Sequence, residues 1–319
     1  MSVDRVSTAS QTAYFLSQIE NAGNALDKTQ QQIASGSNAT TYAGFGTQAQ
    51  VLTATISANA RNSAYTTATS IASTQVDLQD TQLTSLSSLA QQLNTAISSA
   101  VANNDASTLM SQAQNIFDQA SAILNSKDAN GDYIYSGGKT DTAPVTVSSL
   151  SDLAALPSVS SAFSNGDLKK SVQVADGVNV PYGVTASDVG SGLMQALQSL
   201  AQFDAGSTGN LNSASSLSSA QNTYLTGAIA STTTVTNNLN AATATNGYVS
   251  NRLTDAGTQQ TSMNTLYKGF ISNIQDTNMA DAATQLSLNQ TQLQAALQVT
   301  AGLNQLSLLN FLPAPTSGG

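Results

Sequence analysis

Three clusters in this 319-residue chain have residue types and spacings that could do chemistry. Asp77 and Asp80 stand three residues apart, which on a helix puts two carboxylates on one face, as general acid–base work requires. Asp128, Asn130 and Asp132 alternate like the first oxygen donors of a calcium loop. Gly137-Gly138-Lys139-Thr140 resembles the end of a phosphate-cradling loop. None of the three goes further. The calcium loop wants Gly at its sixth position and Glu at its twelfth, where Tyr133 and Lys139 stand. The phosphate loop wants an upstream Gly, and the positions in question hold Tyr133 and Ile134. These clusters therefore read as a solvated helix face and two turns. The chain contains no His and no Cys, which excludes Ser-His and Cys-His nucleophiles, zinc sites built on those ligands, and disulfides. No catalytic residue, cofactor or metal is expected, and the chain does not read as an enzyme.

Charged residues make up 8% of the chain, against about a quarter in an ordinary soluble domain. Ser, Thr, Asn, Gln and Ala replace them, giving a polar surface with little self-repulsion, suited to like chains packing side by side. A net charge of −9 argues against nucleic-acid partners, which need a basic face to displace counterions, and against anionic membrane. No stretch approaches the ~20 apolar residues of a membrane span. The first residues, MSVDRVSTASQTAYFLSQ, lack the apolar run of a cleavable signal. Membrane insertion is not expected.

The elements that would position any function are helical. Phe15, Ile19, Ala22, Leu26, Thr29 and Ile33 fall on one seam, which ASGSNATTYAGFG (34–46) interrupts. Leu83, Leu86, Ala90, Leu93, Ile97 and Ala100 form a second seam. ANNDAS (102–107) breaks it, with an N-cap signal at Asp105 before a third helix carrying Leu109, Ile116, Ala120 and Ile123. The longest pattern is Val235, Leu239, Ala242, Asn246, Val249, Leu253, Ala256, Gln260, Met263, Tyr267, Phe270 and Ile274, stepping by four and three without a slip. As a helix it spans roughly 60 Å and needs partner helices of similar length, as in a coiled coil. Asn246 and Gln260 interrupt its apolar character, either fixing register or marking a tolerated bend. A last helix runs from about Ala280 to Leu312.

The middle is different. GDYIYSGGKTDTAPV (131–145) reads as a β-hairpin, with Tyr133 and Tyr135 on the incoming strand, Gly137-Gly138 at the turn and Pro144 ending the return. Beyond it, VTVSSL, KKSVQVADGVNVPYGVT and SGLMQALQSLAQFD read as short strands and one short helix, with a hairpin-turn signal at Asp176-Gly177. A Gly/Ser/Asn connector covers 206–220. The expected fold is mainly α: an elongated antiparallel helical bundle or coiled coil with a β-hairpin and a small inserted α/β domain. Three parts follow: 1–42 with 277–319, terminal helices; 43–143 with 221–276, a helical rod; and 144–220, the insertion.

The terminal stripes lack a third element to cover them, and two helices alone bury too little apolar surface to be stable. Either these ends are disordered in a single chain or they pack against other copies. Intermolecular packing is the favoured expectation for Phe15, Ile19, Leu26, Ile33, Leu286, Leu293, Leu297, Leu303, Leu306, Leu309 and Phe311, with folding coupled to assembly.

Three stretches carry a family resemblance. LDKTQQQIASGSNATTYAGFGTQAQVL (26–52) and ISNIQDTNMADAATQLSLNQTQLQAAL (271–297) resemble the two terminal signatures of the bacterial flagellin superfamily. GDYIYSGGKTDTAPV, with the ending LNQLSLLNFL, resembles that superfamily's hook-associated branch. The resemblance covers about 1–150 and 225–312 and is weak across 150–220. It implies a structural subunit of the flagellum that joins hook to filament. Such a subunit is exported by the flagellar type III system without signal cleavage and is extracellular. The partners implied are further copies in a ring or helical tube, a neighbouring hook-associated protein, flagellin and an export chaperone. The terminal helices would line the inner tube. A filament subunit shares all these features. A glycan-binding surface relative, stacking sugars on Tyr133, Tyr135 and Tyr182, is the reading from another class.

Overall fold

The computed structural model describes residues 2–213 and 216–309. The chain is mainly helical: α1 (Ser2–Ser35), α2 (Ala49–Asn103), α3 (Leu109–Leu124), α4 (Leu150–Ala155), α5 (Ala186–Ala205), α6 (Ser219–Gln275) and α7 (Met279–Leu309). Strands β1 (Ser171–Ala175) and β2 (Val178–Pro181) form an antiparallel pair between α4 and α5. Two compact units result: one drawn from the chain up to Arg61 and from Met263 onward, the other spanning Asn62–Ser262.

The larger unit is built on an antiparallel pairing of α2 with α6. Asn94 Nδ2 donates to the Ile229 carbonyl at 2.9 Å, Ser87 Oγ to Asn240 Oδ1 at 2.7 Å, and Asn246 Nδ2 to the Val76 carbonyl at 2.9 Å. Partners thus descend along α2 as they ascend along α6. The buried seam of α2 is Thr69, Ala72, Val76, Gln79, Leu83, Leu86, Ala90, Leu93, Ile97 and Ala100, alternating steps of three and four. It begins two heptads before the seam legible in the sequence, because polar Thr69 and Gln79 hide the pattern there. On α6, Val235, Leu239, Asn246, Leu253 and Gln260 are buried, with Ala242, Val249 and Ala256 half-buried between them.

Helices α3, α4 and α5 complete the core. Leu109, Ala113, Ile116, Phe117, Ala120 and Leu124 form the buried face of α3. They join Leu150, Leu153, Leu193, Met194 and Leu197 in one cluster with the part of the α2 seam from Leu83 to Ala100. Asp105 Oδ1 accepts from Ser107 N at 2.9 Å in the turn before α3, whereas the residue flanking the helix start is Thr108. Helix α5 opens with a capping box, Thr185 accepting from Asp188 N while Asp188 accepts from Thr185 N.

The β-pair lies where Asp176-Gly177 signals a turn, with Gly177 at φ +73°, a conformation glycine adopts without strain. Val172, Val174 and Val180 point from it onto Ala72, Val76 and Leu253. The hairpin expected at 131–145 is corrected: that segment is a succession of turns with isolated bridges at Tyr133 and Val145. Its backbone groups go to three different places. Tyr133 N donates to the Thr140 carbonyl at 2.9 Å, Ile134 N to the Ser126 carbonyl at 3.1 Å, and the Tyr135 carbonyl accepts from Ala186 N at 2.9 Å. A ladder needs these groups to face one strand, so none forms. Pro144 is buried and Ser164 N donates to its carbonyl at 2.9 Å.

Candidate assembly surface

The smaller unit holds both ends of the chain. Helices α1 and α7 pack antiparallel, with Thr29 and Asn289 buried between them. Asn289 Nδ2 donates to Thr29 Oγ1 at 3.0 Å and to the Ala25 carbonyl at 3.2 Å. The Asn289 amide nitrogen and the Thr29 hydroxyl thus pair in a buried contact, which fixes the register of the two helices. At the end of α1 the chain is stitched to the α6–α7 junction. Asn38 N donates to the Gln275 carbonyl at 2.7 Å, and Thr277 N to the Gly36 carbonyl at 2.9 Å. Asn38 Nδ2 reaches the Ile274 and Asp276 carbonyls, both at 3.0 Å, and Ser37 Oγ the Gln275 carbonyl at 3.1 Å. The two terminal stretches singled out in the sequence therefore meet, and their polar residues satisfy each other's loose backbone groups.

Phe15, Ile19, Leu26 and Ile33 on α1, and Leu286 and Leu293 on α7, are all half-buried. One partner helix covers part of each stripe and leaves the rest exposed. Leu297 is 50% exposed. Leu303, Leu306 and Leu309 fall on the α7 backbone, but their side chains, and all of Phe311, lie outside the described residues. Sequence periodicity passed over Tyr14, Leu16, Leu288 and Val299, which stand off the seams and are about half or more exposed (61%, 52%, 49% and 49%). Their signal was apolar character at positions a solvated helix face would make polar.

The remaining candidates take structural roles. Tyr135 is fully buried, its hydroxyl has no hydrogen-bond partner among the described residues, and burial holds its ionisation far above the ordinary tyrosine range. Tyr133 is half-buried with Lys127 Nζ 4.6 Å from its ring centroid. Tyr182 packs beside the β-pair, its ionisation also raised by burial. Gly137 and Gly138 turn against Gly166 and Leu168. Asp80 accepts from Asn246 Nδ2 at 3.4 Å, while Asp77 is exposed. Asp128 Oδ1 accepts from Asn130 N at 2.8 Å and Asp132 N at 3.2 Å, which makes it a turn-former. Lys139 Nζ donates to the Ser164 carbonyl at 3.0 Å. Among the described residues no group of three possible ligands converges as a metal site would require, and no helix is long and apolar enough to cross a membrane.

The chain combines an antiparallel coiled coil, a small inserted sheet and paired terminal helices, and its residues 229–312 match the bacterial flagellin C-terminal helical region. The relatives are hook-associated. Flagellar hook-associated protein 3 of Escherichia coli K12 is 33% identical over 91 residues, 27% of this chain and 29% of the relative. That of Salmonella typhimurium is 28% identical over 144 residues, 44% of this chain and 45% of the relative. The chain thus spans under half the length of these two relatives. Two solved structures share the fold. One, from Vibrio parahaemolyticus and assigned as a flagellar hook-associated protein, has a TM-score of 0.57 at 19% identity, covering 72% of this chain and 97% of its own. Bacillus cereus FlgL has a TM-score of 0.55 at 12% identity, covering 69% and 99%.

Proposed function

We propose that this chain is a structural subunit of the bacterial flagellum that joins hook to filament, self-assembling into a ring or helical tube through α1 and α7. The observation that carries the reading is the terminal pair: two helices stitched at one end, with apolar stripes that each cover only in part. That surface is left for other copies, and the hook-associated relatives supply the setting. A neighbouring hook-associated protein, flagellin and an export chaperone are the proposed partners, and export through the flagellar channel the proposed route. The proposed three-part division gives 1–42 with 277–319 the contact with the tube, 43–143 with 221–276 the rod, and 144–220 the outward surface.

Immunogold labelling on intact cells tests the proposal. Label confined to the hook-proximal end of each filament is expected. Label along the whole filament would instead identify a filament subunit.

A further inference from the structure

The chain contains three Asn-Gly steps, Asn130-Gly131, Asn165-Gly166 and Asn246-Gly247. Such a step is chemically labile because glycine, lacking Cβ, leaves its backbone nitrogen free to reach the preceding side-chain carbonyl carbon. The fold treats the three differently. Asn246 is 5% exposed on α6, its amide held by the Val76 carbonyl. Asn165 is half-buried, its amide nitrogen donating to Ser187 Oγ at 3.0 Å and to the Gly166 carbonyl at 3.2 Å, and its oxygen accepting from Ser187 N at 3.1 Å. Asn130 is exposed, and its side-chain amide has no hydrogen bond among the described residues. Gly131 is exposed too, and its N–H donates only to the Asp128 carbonyl at 3.0 Å, within one surface turn.

We propose that Asn130 is a site of spontaneous deamidation. Gly131 N gives its proton to solvent and attacks Asn130 Cγ. A nitrogen–carbon bond forms, the Cγ–Nδ2 bond breaks, and the amide nitrogen leaves as ammonia with a proton from solvent. Water then opens the resulting succinimide at either carbonyl, giving aspartate or isoaspartate. The product carries one more carboxylate, beside Asp128 and Asp132. In the isoaspartate form it also lengthens the backbone inside the turn that the Lys127–Tyr133 bridge closes.

The test is peptide mapping by mass spectrometry of the full chain, sampled over time at mildly alkaline pH, folded and in urea. In the folded chain Asn130 converts at least about tenfold faster than Asn165 or Asn246, whose reaction must wait for local opening of a hydrogen-bonded site. In urea the three rates converge. The proposal is overturned if Asn165 or Asn246 converts as fast as Asn130 in the folded chain, or if folding slows Asn130 as strongly as it slows the other two. Asn130→Gln, which requires a less favourable larger ring, removes the paired aspartate and isoaspartate peptides; their persistence assigns the signal elsewhere and overturns the proposal.

Discussion

Gln260 occupies an apolar seam position yet is 3% exposed, and its amide nitrogen does two jobs. It donates to Thr69 Oγ1 at 2.9 Å, across the coiled coil, and to the Val174 carbonyl at 2.7 Å, holding β1 onto the helix pair. A buried donor of this kind contributes mainly by satisfying groups that would otherwise be unpaired. Gln260→Ala is expected to destabilise the larger unit by about 1–3 kcal/mol in denaturant unfolding. It should also speed amide exchange across 171–181 more than across α3. A change confined to global stability would show that the β-pair does not depend on this contact. Tyr135 is the opposite case, a buried hydroxyl without a hydrogen-bond partner among the described residues. Tyr135→Phe removes the unpaired group and should leave stability at neutral pH equal or higher by about 1 kcal/mol. Burial raises the ionisation of Tyr135 and Tyr182, and raises that of Tyr224 from 10.0 to about 12. The folded chain therefore holds these protons more tightly than the unfolded chain. Their stabilising contribution is complete below pH 10 and is lost as pH rises from there through the folded values. Alkaline unfolding monitored by tyrosine absorbance should begin above about pH 10 and shift upward in Tyr135→Phe.

At the scale of elements, the segment 131–145 shows where sequence pattern misleads. Tyr133-Ile134-Tyr135 has strand-forming residues, and Gly137-Gly138 has a turn signature, so alternation alone gives a hairpin. What decides the conformation is long-range: an ideal Cβ on Gly137 would lie 2.3 Å from the Gly166 carbonyl oxygen, and its φ is +65°. Gly138 has ordinary space, its nearest neighbour Leu168 Cβ at 3.4 Å. Gly137→Ala is expected to cost about 2–4 kcal/mol, combining left-handed strain with displaced backbone, whereas Gly138→Ala stays within about 1 kcal/mol. Thermal denaturation of the two variants separates these outcomes, and equal costs would mean that the close approach to Gly166 does not constrain the segment. The heptads of α2 and α6 were legible because their period is local. The Asp176-Gly177 turn was legible for the same reason. The first two heptads of α2 were not, since Thr69 and Gln79 are polar residues whose burial depends on α6 and β1. Asn246 is likewise polar at a seam position, and its contacts with Val76 and Asp80 favour the register reading over that of a bend.

At the scale of the molecule, the two compact units differ in how completely they bury their apolar residues. The larger has a continuous core with Leu83, Leu86, Leu93, Phe117, Leu153, Leu193 and Leu197 at 1% exposure or less. The smaller leaves Tyr14, Leu16, Leu288, Leu297 and Val299 about half or more exposed. The larger unit should therefore fold without the other, and the assembly property should travel with the smaller. A fragment comprising 62–262 is expected to be soluble, cooperative in thermal unfolding and monomeric by sedimentation. Aggregation or loss of cooperativity would show that the terminal helices belong to its core. In the full chain, replacing Leu16, Leu288, Leu297 and Val299 together by Ser removes exposed apolar surface without touching the Thr29–Asn289 contact or the stitch at Asn38. Each of the four side chains is about half exposed, so each replacement forfeits roughly 0.8–1.5 kcal/mol of further burial in an assembly, and the quadruple variant should lose self-association. Its 62–262 core should melt within about 2 °C of the parent, because substitutions outside that unit leave its contacts intact. Self-association that survives the four changes would place the contact surface elsewhere on the chain and remove the support that the terminal pair gives to the junction reading.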